Sequence, residues 1–271
     1  MIVFRNVSYV YPSGVKALDN VNLEVKEGEV VALMGENGAG KTTLIKHLNG
    51  LLKPTSGNVV VDGIDTRNST VASLSKIVGI VFQNAEEMFF SPTVWEEIAF
   101  ALKNFGYSEE VVNKRVEWAL KLMELEEYRD KSPFLLSGGE KKRLALAIVL
   151  AWSPKVIALD EPTVGQDIIQ KEKMIQIIRQ INLQGKTVII SSHDVEFISD
   201  LRPRIVLMSR GRVVDDGPAE EILTKLELLN ECRLIPPQIV SLTSKLDFLG
   251  FKIELAEPEE IALRIGRKLL S

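Results

Sequence analysis

The sequence predicts an α/β fold: a mixed sheet joined to an antiparallel β subdomain, an α-helical subdomain inserted into the core, and a short helical C-terminal extension. Three observations carry this. Short β-branched runs alternate with stretches of helical period along the 271 residues. The early runs are joined by short turns and read as antiparallel, whereas the later ones are separated by helices and read as parallel. Between Ser108 and about Ser153 no strand pattern occurs.

Taken in order, Ile2–Val10 opens the sheet, and Val21–Val25 and Glu29–Met34 follow as strands. A glycine-rich turn leads into a helix over Lys41–Leu51. Gly57–Val61 and Ile77–Phe82 are the next strands. Helices over Glu109–Met123 and Glu140–Trp152 fill the strand-free interval, so the helical subdomain is placed at about 84–153. Strands at Val156–Leu159 and Thr187–Ser191 flank a helix over Gln170–Gln184, and Arg204–Met208 and Arg212–Asp215 close the sheet. After Pro218 the character changes: AEEILTKLELL is amphipathic, Pro236 and Pro237 break it, and short helical segments follow. Residues 1–217 are therefore expected to form one unit and 218–271 an extension.

A composition of 45% hydrophobic and 26% charged residues excludes a disordered or collagen-like chain. Lys+Arg 33 against Asp+Glu 37 leaves a net charge of −4, which argues against a general nucleic-acid binder. The longest apolar run, Leu144 to Trp152, falls short of the ~20 residues of a membrane span. The N-terminal MIVFRNVSYVY lacks the succession of a secretory signal, so a cytoplasmic protein is expected. The single cysteine, Cys232, sits among leucines and is expected to be an inert buried thiol.

The segment Gly35-Glu-Asn-Gly-Ala-Gly40-Lys41-Thr42 fits G-x-x-x-x-G-K-[ST] between a strand and a helix, so a P-loop nucleoside triphosphatase core is expected. Glycines let backbone N–H groups turn around phosphate oxygens, Lys41 supplies a point charge, and the helix N-terminus adds its dipole. Gly35, Asn37, Gly38, Ala39 and Gly40 form this cradle, and Thr42 is placed to bind Mg²⁺. A second apolar strand ends in Asp160 and Glu161, and a third leads to His193, at the edge of a parallel sheet where ligands gather. Asp160 would hold Mg²⁺ and Glu161 could polarise a water. By contrast, His47 lies inside the helix and is expected to be structural. Ser137, Gly138 and Gly139 open another helix and make a second anion site, which one γ-phosphate in the same chain would not easily reach. That site suits a nucleotide held by another subunit.

The combination resembles the ATPase subunits of ATP-binding cassette transporters over about Ile2 to Asp216. It rests on GENGAGKT, Gln83 in VFQN, LSGGE, VIALDEP, Asp167 in PTVGQD and His193 in SSHD, all in family order. The resemblance implies two subunits packed head to tail around two ATP molecules. It implies that Tyr11 stacks on adenine, that Lys41, Thr42 and Thr43 bind phosphate and Mg²⁺, and that Gln83 senses Mg²⁺ and couples to a membrane partner. It further implies Asp160 as Mg²⁺ ligand, Glu161 as catalytic base, His193 as γ-phosphate switch, Ser137 to Gly139 as the signature segment, and Asp167 as a link across the dimer. Glu140 replaces the commoner glutamine of that signature and Gln166 the usual leucine or methionine, and activity is expected to survive both.

Within the family, FQNAEEMFFSPTVWEEIAF is similar to the corresponding segment of energy-coupling factor transporters, which take up vitamins and transition-metal ions; Ala85 and Met88 depart from their pattern. Leu234-Ile-Pro-Pro237 and the helices around it resemble the tail of those ATPases, expected to serve dimerisation. The likeness implies a second ATPase subunit, identical or paralogous, a transmembrane coupling subunit docking near Gln83 and Glu86, and a substrate-binding membrane subunit, so the chain is expected at the cytoplasmic face of the membrane. Phe89 and Phe90 are either core residues or the apolar wall of the docking groove. Another importer or exporter with separate membrane subunits is the alternative, and an ATPase acting on DNA or the ribosome is a further one. The latter is not expected, since Gly40 and Ser137 are only 97 positions apart.

Overall fold

The computed structural model describes residues 1–269. The chain runs β1 (Ile2–Val10), β2 (Lys16–Val25), β3 (Val30–Met34), α1 (Lys41–Leu48), β4 (Ser56–Val61), β5 (Ile64–Asp65), α2 (Val71–Leu74) and β6 (Val78–Val81). It continues through α3 (Val94–Asn104), α4 (Glu109–Leu122), α5 (Gly138–Ala151), β7 (Val156–Asp160), α6 (Ile168–Leu183), β8 (Thr187–Ser192) and α7 (Val195–Leu201). β9 (Arg204–Ser209) and β10 (Arg212–Pro218) follow, then α8 (Ala219–Ile222), α9 (Leu226–Glu231), α10 (Gln238–Lys245) and α11 (Pro258–Leu269).

Two sheets form. The antiparallel one has the order β2-β1-β4-β5, with Ile2 opposite both Val25 and Val61. The other has the order β10-β9-β3-β8-β7-β6, parallel from β9 to β6 with β10 antiparallel at its edge. β3 lies in the middle of this sheet with both faces covered, which is why Val31, Ala32, Leu33 and Met34 are all apolar and all buried. One core packs the antiparallel sheet and α1 against one face; the other packs α3 to α7 and the start of the tail against the opposite face. Among the described residues, every regular element between β6 and β7 is helical.

Several boundaries move for local reasons. β2 starts at Lys16 rather than Val21, because pairing with β1 carries on past irregularities near Val7 and Tyr9. α1 ends at Leu48 rather than Leu51, where Gly50 turns with a φ of +74°. α5 and α6 each start two residues early because Ser137 and Asp167 cap them. α3 and α7 were not among the predicted helices. Thr93 and Asp194 cap them, accepting from the N–H groups of Glu96 and Phe197.

Candidate nucleotide-binding site

The phosphate loop leaves the centre of the parallel sheet. Gly35 (φ +148°) runs so close to β9 that an added Cβ would lie 2.1 Å from the Met208 carbonyl oxygen. Gly40 (φ +106°) caps α1 in a left-handed conformation, and its Cβ would lie 2.6 Å from the Ala17 carbonyl. Ala39, 1% exposed, holds the loop down by accepting from the Gly211 N–H at 3.0 Å. Lys41 starts α1 and is buried; its Nζ donates to the carbonyls of Gly35 and Glu36 at 2.7 and 3.1 Å. The ammonium is thus held over the mouth of the loop.

Neighbouring strands bring the carboxylates to the same edge. Register pairs Asp160 with Ser191, and Met34 with Ser192, so the ends of β3, β7 and β8 are level. Asp160 is 3% exposed. Its Oδ1 accepts from the Thr42 hydroxyl at 3.0 Å and from the Ser191 hydroxyl. Glu161 turns the chain with a φ of +48°, and its N–H donates to the Ser191 carbonyl at 3.0 Å. One oxygen of its carboxylate lies 3.6 Å from Lys41 Nζ and the other 2.9 Å from His193 Nδ1. A single buried carboxylate therefore bridges the lysine of the loop and the half-exposed histidine after β8.

A cleft of about 340 Å³ opens over this arrangement, lined by Tyr11, Asn37, Gly38, Gly40, Lys41, Thr42, Thr43, Gln83 and Glu161. Nine of the sequence-predicted residues thus share one cavity. Ser137, Gly138, Gly139 and Asp167 do not line it. They sit on another surface: Ser137 caps α5, Asp167 caps α6 by accepting from the Gln170 N–H at 2.8 Å, and Gly139 lies against the Gln170 side chain.

The donors around Asp160 and Thr42 suit Mg²⁺, a hard cation that takes oxygen ligands. Among the described residues no group of three or more His, Cys, Asp or Glu forms a metal cage.

A family profile described as ABC transporter matches residues 18–164, more than half of the chain, including the phosphate loop, the Leu136–Glu140 segment and both carboxylates. The chain belongs to the ABC transporter family. It is an ABC-type ATPase cassette. It is 42% identical over 257 residues to the energy-coupling factor transporter ATP-binding protein EcfA of Methanothermobacter thermautotrophicus, covering 94% of this chain and 83% of that one. CbiO1 from Clostridium perfringens, described as part of the CbiONQ transporter complex, superposes with a TM-score of 0.76 at 35% identity over 90% of this chain and 98% of its own. An ATP-binding cassette solved as a dimer bound to ADP and Pi matches with a TM-score of 0.74 at 35% identity, over 81% of this chain and 99% of its own. Against a further curated relative the chain spans 45% of that protein's length.

Within this ABC cassette the unusual Glu140 has a local explanation. Its carboxylate accepts from the Ser137 N–H at 2.7 Å while its own N–H reaches the Ser137 hydroxyl at 3.4 Å, a reciprocal capping box. The Tyr128 hydroxyl also donates to it, which with the Ser137 bonds holds the Glu140 carboxyl below its ordinary range and pushes Tyr128 up to about 12. Because the folded state depresses the Glu140 pKa, its contribution is present above the ordinary carboxylate range and fades as pH falls through the lowered value. Glu140→Ala should lower stability by about 1 kcal/mol and Glu140→Gln by a few tenths at most. Thermal unfolding of the two variants checks the order.

The ABC cassette's segment after Gln83 is positioned by a residue that sequence reasoning missed. Glu97, 2% exposed on α3, accepts from the N–H groups of Phe90 and Ser91 at 2.9 and 2.7 Å. A single acid on the apolar face of a helix was the available signal. Glu86 is exposed and pairs with Lys141 at 2.6 Å. The two phenylalanines separate: Phe90 is 60% exposed and edge-on to Phe100, whereas Phe89 is 7% exposed in the helical core. Of the two alternatives, Phe89 is thus a core residue, edge-on to Phe134 at 6.4 Å, rather than an exposed docking residue. Cys232 is buried, and burial pushes its thiol pKa up, which suits an inert role. The tail reaches back to the phosphate loop through Arg233, 3.0 Å from Glu36.

Proposed function

We propose that this ABC ATPase is the motor subunit of an energy-coupling factor type importer for a vitamin or a transition-metal ion. The observation that carries its chemistry is the Lys41–Glu161–His193 chain, which starts in the phosphate cleft and ends at its edge, with the Ser137–Gly139 segment outside that cleft. ATP phosphates occupy the loop, and Lys41 leaves the Gly35 and Glu36 carbonyls for the β- and γ-phosphates. Thr42 and Asp160 hold Mg²⁺, which neutralises phosphate charge when bound. Glu161 orients the attacking water and takes its proton, and His193 keeps Glu161 in place and contacts the γ-phosphate. Tyr11 stacks on adenine. Ser137, Gly138 and Gly139 of a second ATPase subunit, identical or paralogous, close over the γ-phosphate, and Asp167 faces that subunit. Hydrolysis reopens the pair.

The importer reading is supported by the names of the relatives and by the FQNAEEMFF segment, where Gln83, Glu86 and Phe90 offer an exposed polar and aromatic edge. In this reading they receive a transmembrane coupling subunit, which joins a separate substrate-binding membrane subunit, and the C-terminal extension 218–271 holds the two ATPases together. No helix among the described residues is long and apolar enough to cross a membrane, so attachment is peripheral, through the partners. Affinity purification of the tagged chain from detergent-solubilised membranes, followed by mass spectrometry, tests this. Recovery of two distinct membrane proteins, a coupling subunit and a substrate-binding subunit, is expected. Recovery with nucleic acid or ribosomes and no membrane protein would overturn the reading.

A further inference from the structure

The hydrolytic machinery does not use His47, yet this residue lies on the helix that the phosphate loop opens, one turn beyond Thr43. Its ring on α1 is 0% exposed. Nδ1 lies 2.7 Å from the Thr43 carbonyl oxygen, which can only accept, so the ring proton is on Nδ1 and Nε2 is a bare acceptor. Nε2 is buried with no hydrogen-bond partner, and burial lowers the imidazole pKa, favouring the neutral form. An unpartnered buried nitrogen is destabilising, and a leucine would fill comparable space without one. The imidazole's other contact points to a compensating role. The Tyr9 ring meets it edge-on at 5.1 Å and meets Tyr11 edge-on at 4.9 Å. The Tyr11 hydroxyl in turn lies 3.0 Å from the Thr43 hydroxyl. His47, Tyr9, Tyr11 and Thr43 thus form a closed circuit between the end of β1 and the first turns of α1.

We propose that His47 is a positioning residue for the base-binding platform: its Nδ1-protonated imidazole fixes the Thr43 carbonyl and the Tyr9 ring, and through them the plane of Tyr11. This rests on the reading of Tyr11 as the aromatic that stacks on adenine. A half-exposed tyrosine held at one point loses rotamer freedom when a base stacks on it. Here the ring is held at its edge by Tyr9 and at its hydroxyl by Thr43, so that loss is met in the folded protein before ATP arrives. Thr43 adjoins Thr42, so one helix sets the base platform and the phosphate end in register.

The test compares affinity for ATP with affinity for inorganic tripolyphosphate, which has the phosphates and no base. It uses the full chain and the variants Tyr9→Leu, His47→Leu, their double and Tyr11→Leu. Tyr9→Leu and His47→Leu should each weaken ATP binding about threefold to tenfold, the range of an edge-on aromatic contact, with tripolyphosphate binding unchanged in Tyr9→Leu and weakened less than ATP binding in His47→Leu, whose partner Thr43 lies at the phosphate end. The double should be no weaker than the stronger single, because both act on one ring. Equal losses for both ligands would mean a merely structural role for the circuit and would overturn the inference. So would a base-dependent loss in Tyr11→Leu that neither Tyr9→Leu nor His47→Leu shares. An unchanged ratio in Tyr11→Leu would instead remove the stacking reading itself. If His47→Leu does not fold, Tyr9→Leu decides, since Tyr9 is only partly buried.

Discussion

Glu161→Gln is expected to slow ATP hydrolysis by about 10²–10⁴-fold while ATP stays bound and holds two ATPase subunits together. The amide keeps the shape of the carboxyl group and can still meet His193, whose Nδ1 lies 2.9 Å from the native oxygen. It cannot take a proton from water. Lys41, at 3.6 Å on the other side, loses a neighbouring carboxylate but is still held at the loop by the Gly35 and Glu36 carbonyls until the phosphates take their place, so phosphate binding should persist. Binding and hydrolysis are then uncoupled, and the closed pair accumulates. Phosphate release measures the first effect, and size-exclusion chromatography with and without ATP and Mg²⁺ the second. Near-normal turnover would sink the assignment of Glu161 as the base.

Gly35→Ala should destabilise the fold by about 2–4 kcal/mol and weaken ATP binding at least about tenfold. The new methyl would lie 2.1 Å from the Met208 carbonyl oxygen and 3.2 Å from Ala39 Cβ, at a φ of +148°. Neither neighbour is free to yield. Met208 is in β9, which pairs with both β3 and β10, and Ala39 is bonded to Gly211. The strain falls on the loop, where the Gly35 carbonyl is the closest acceptor for Lys41. Gly38→Ala is the control: its φ is +84° but nothing lies within 4 Å of an added Cβ, so only backbone strain of about 1–2 kcal/mol applies. Denaturant unfolding and nucleotide titration of both variants check the contrast. Equal stabilities would mean that close approach to β9 does not shape the loop.

The parts of the site legible in the sequence are those whose physics is local. The glycine pattern of the phosphate loop, Ser137 and Asp167 at helix starts, and an apolar strand ending in Asp160 and Glu161 each act over a few residues. Strand and helix alternation gave the two sheets and the helical interval for the same reason. Boundaries slipped where a cap or a sheet partner outweighed propensity, as at α5, α6 and β2. α3 escaped detection although Thr93 caps it, because its buried face carries Glu97 as well as Val94, Ile98, Ala99 and Leu102, which interrupts the apolar period.

By itself the sequence determined the fold class and the family: an α/β cassette whose phosphate-loop motif, paired carboxylates, histidine and Ser137–Gly139 segment stand in family order. Only the tertiary structure decided which of two adjacent phenylalanines is buried, that Glu97 holds their segment, and that Glu140 completes a cap. It also joined Tyr11 to Thr43 across 32 positions and Arg233 to the phosphate loop. Motif residues are specified by short-range backbone geometry and by charge that must face a ligand, so they can be read in one dimension. Burial and pairing between distant segments depend on which surfaces meet once the sheets pack, and adjacent residues of like chemistry, such as Phe89 and Phe90, carry no local mark that tells them apart.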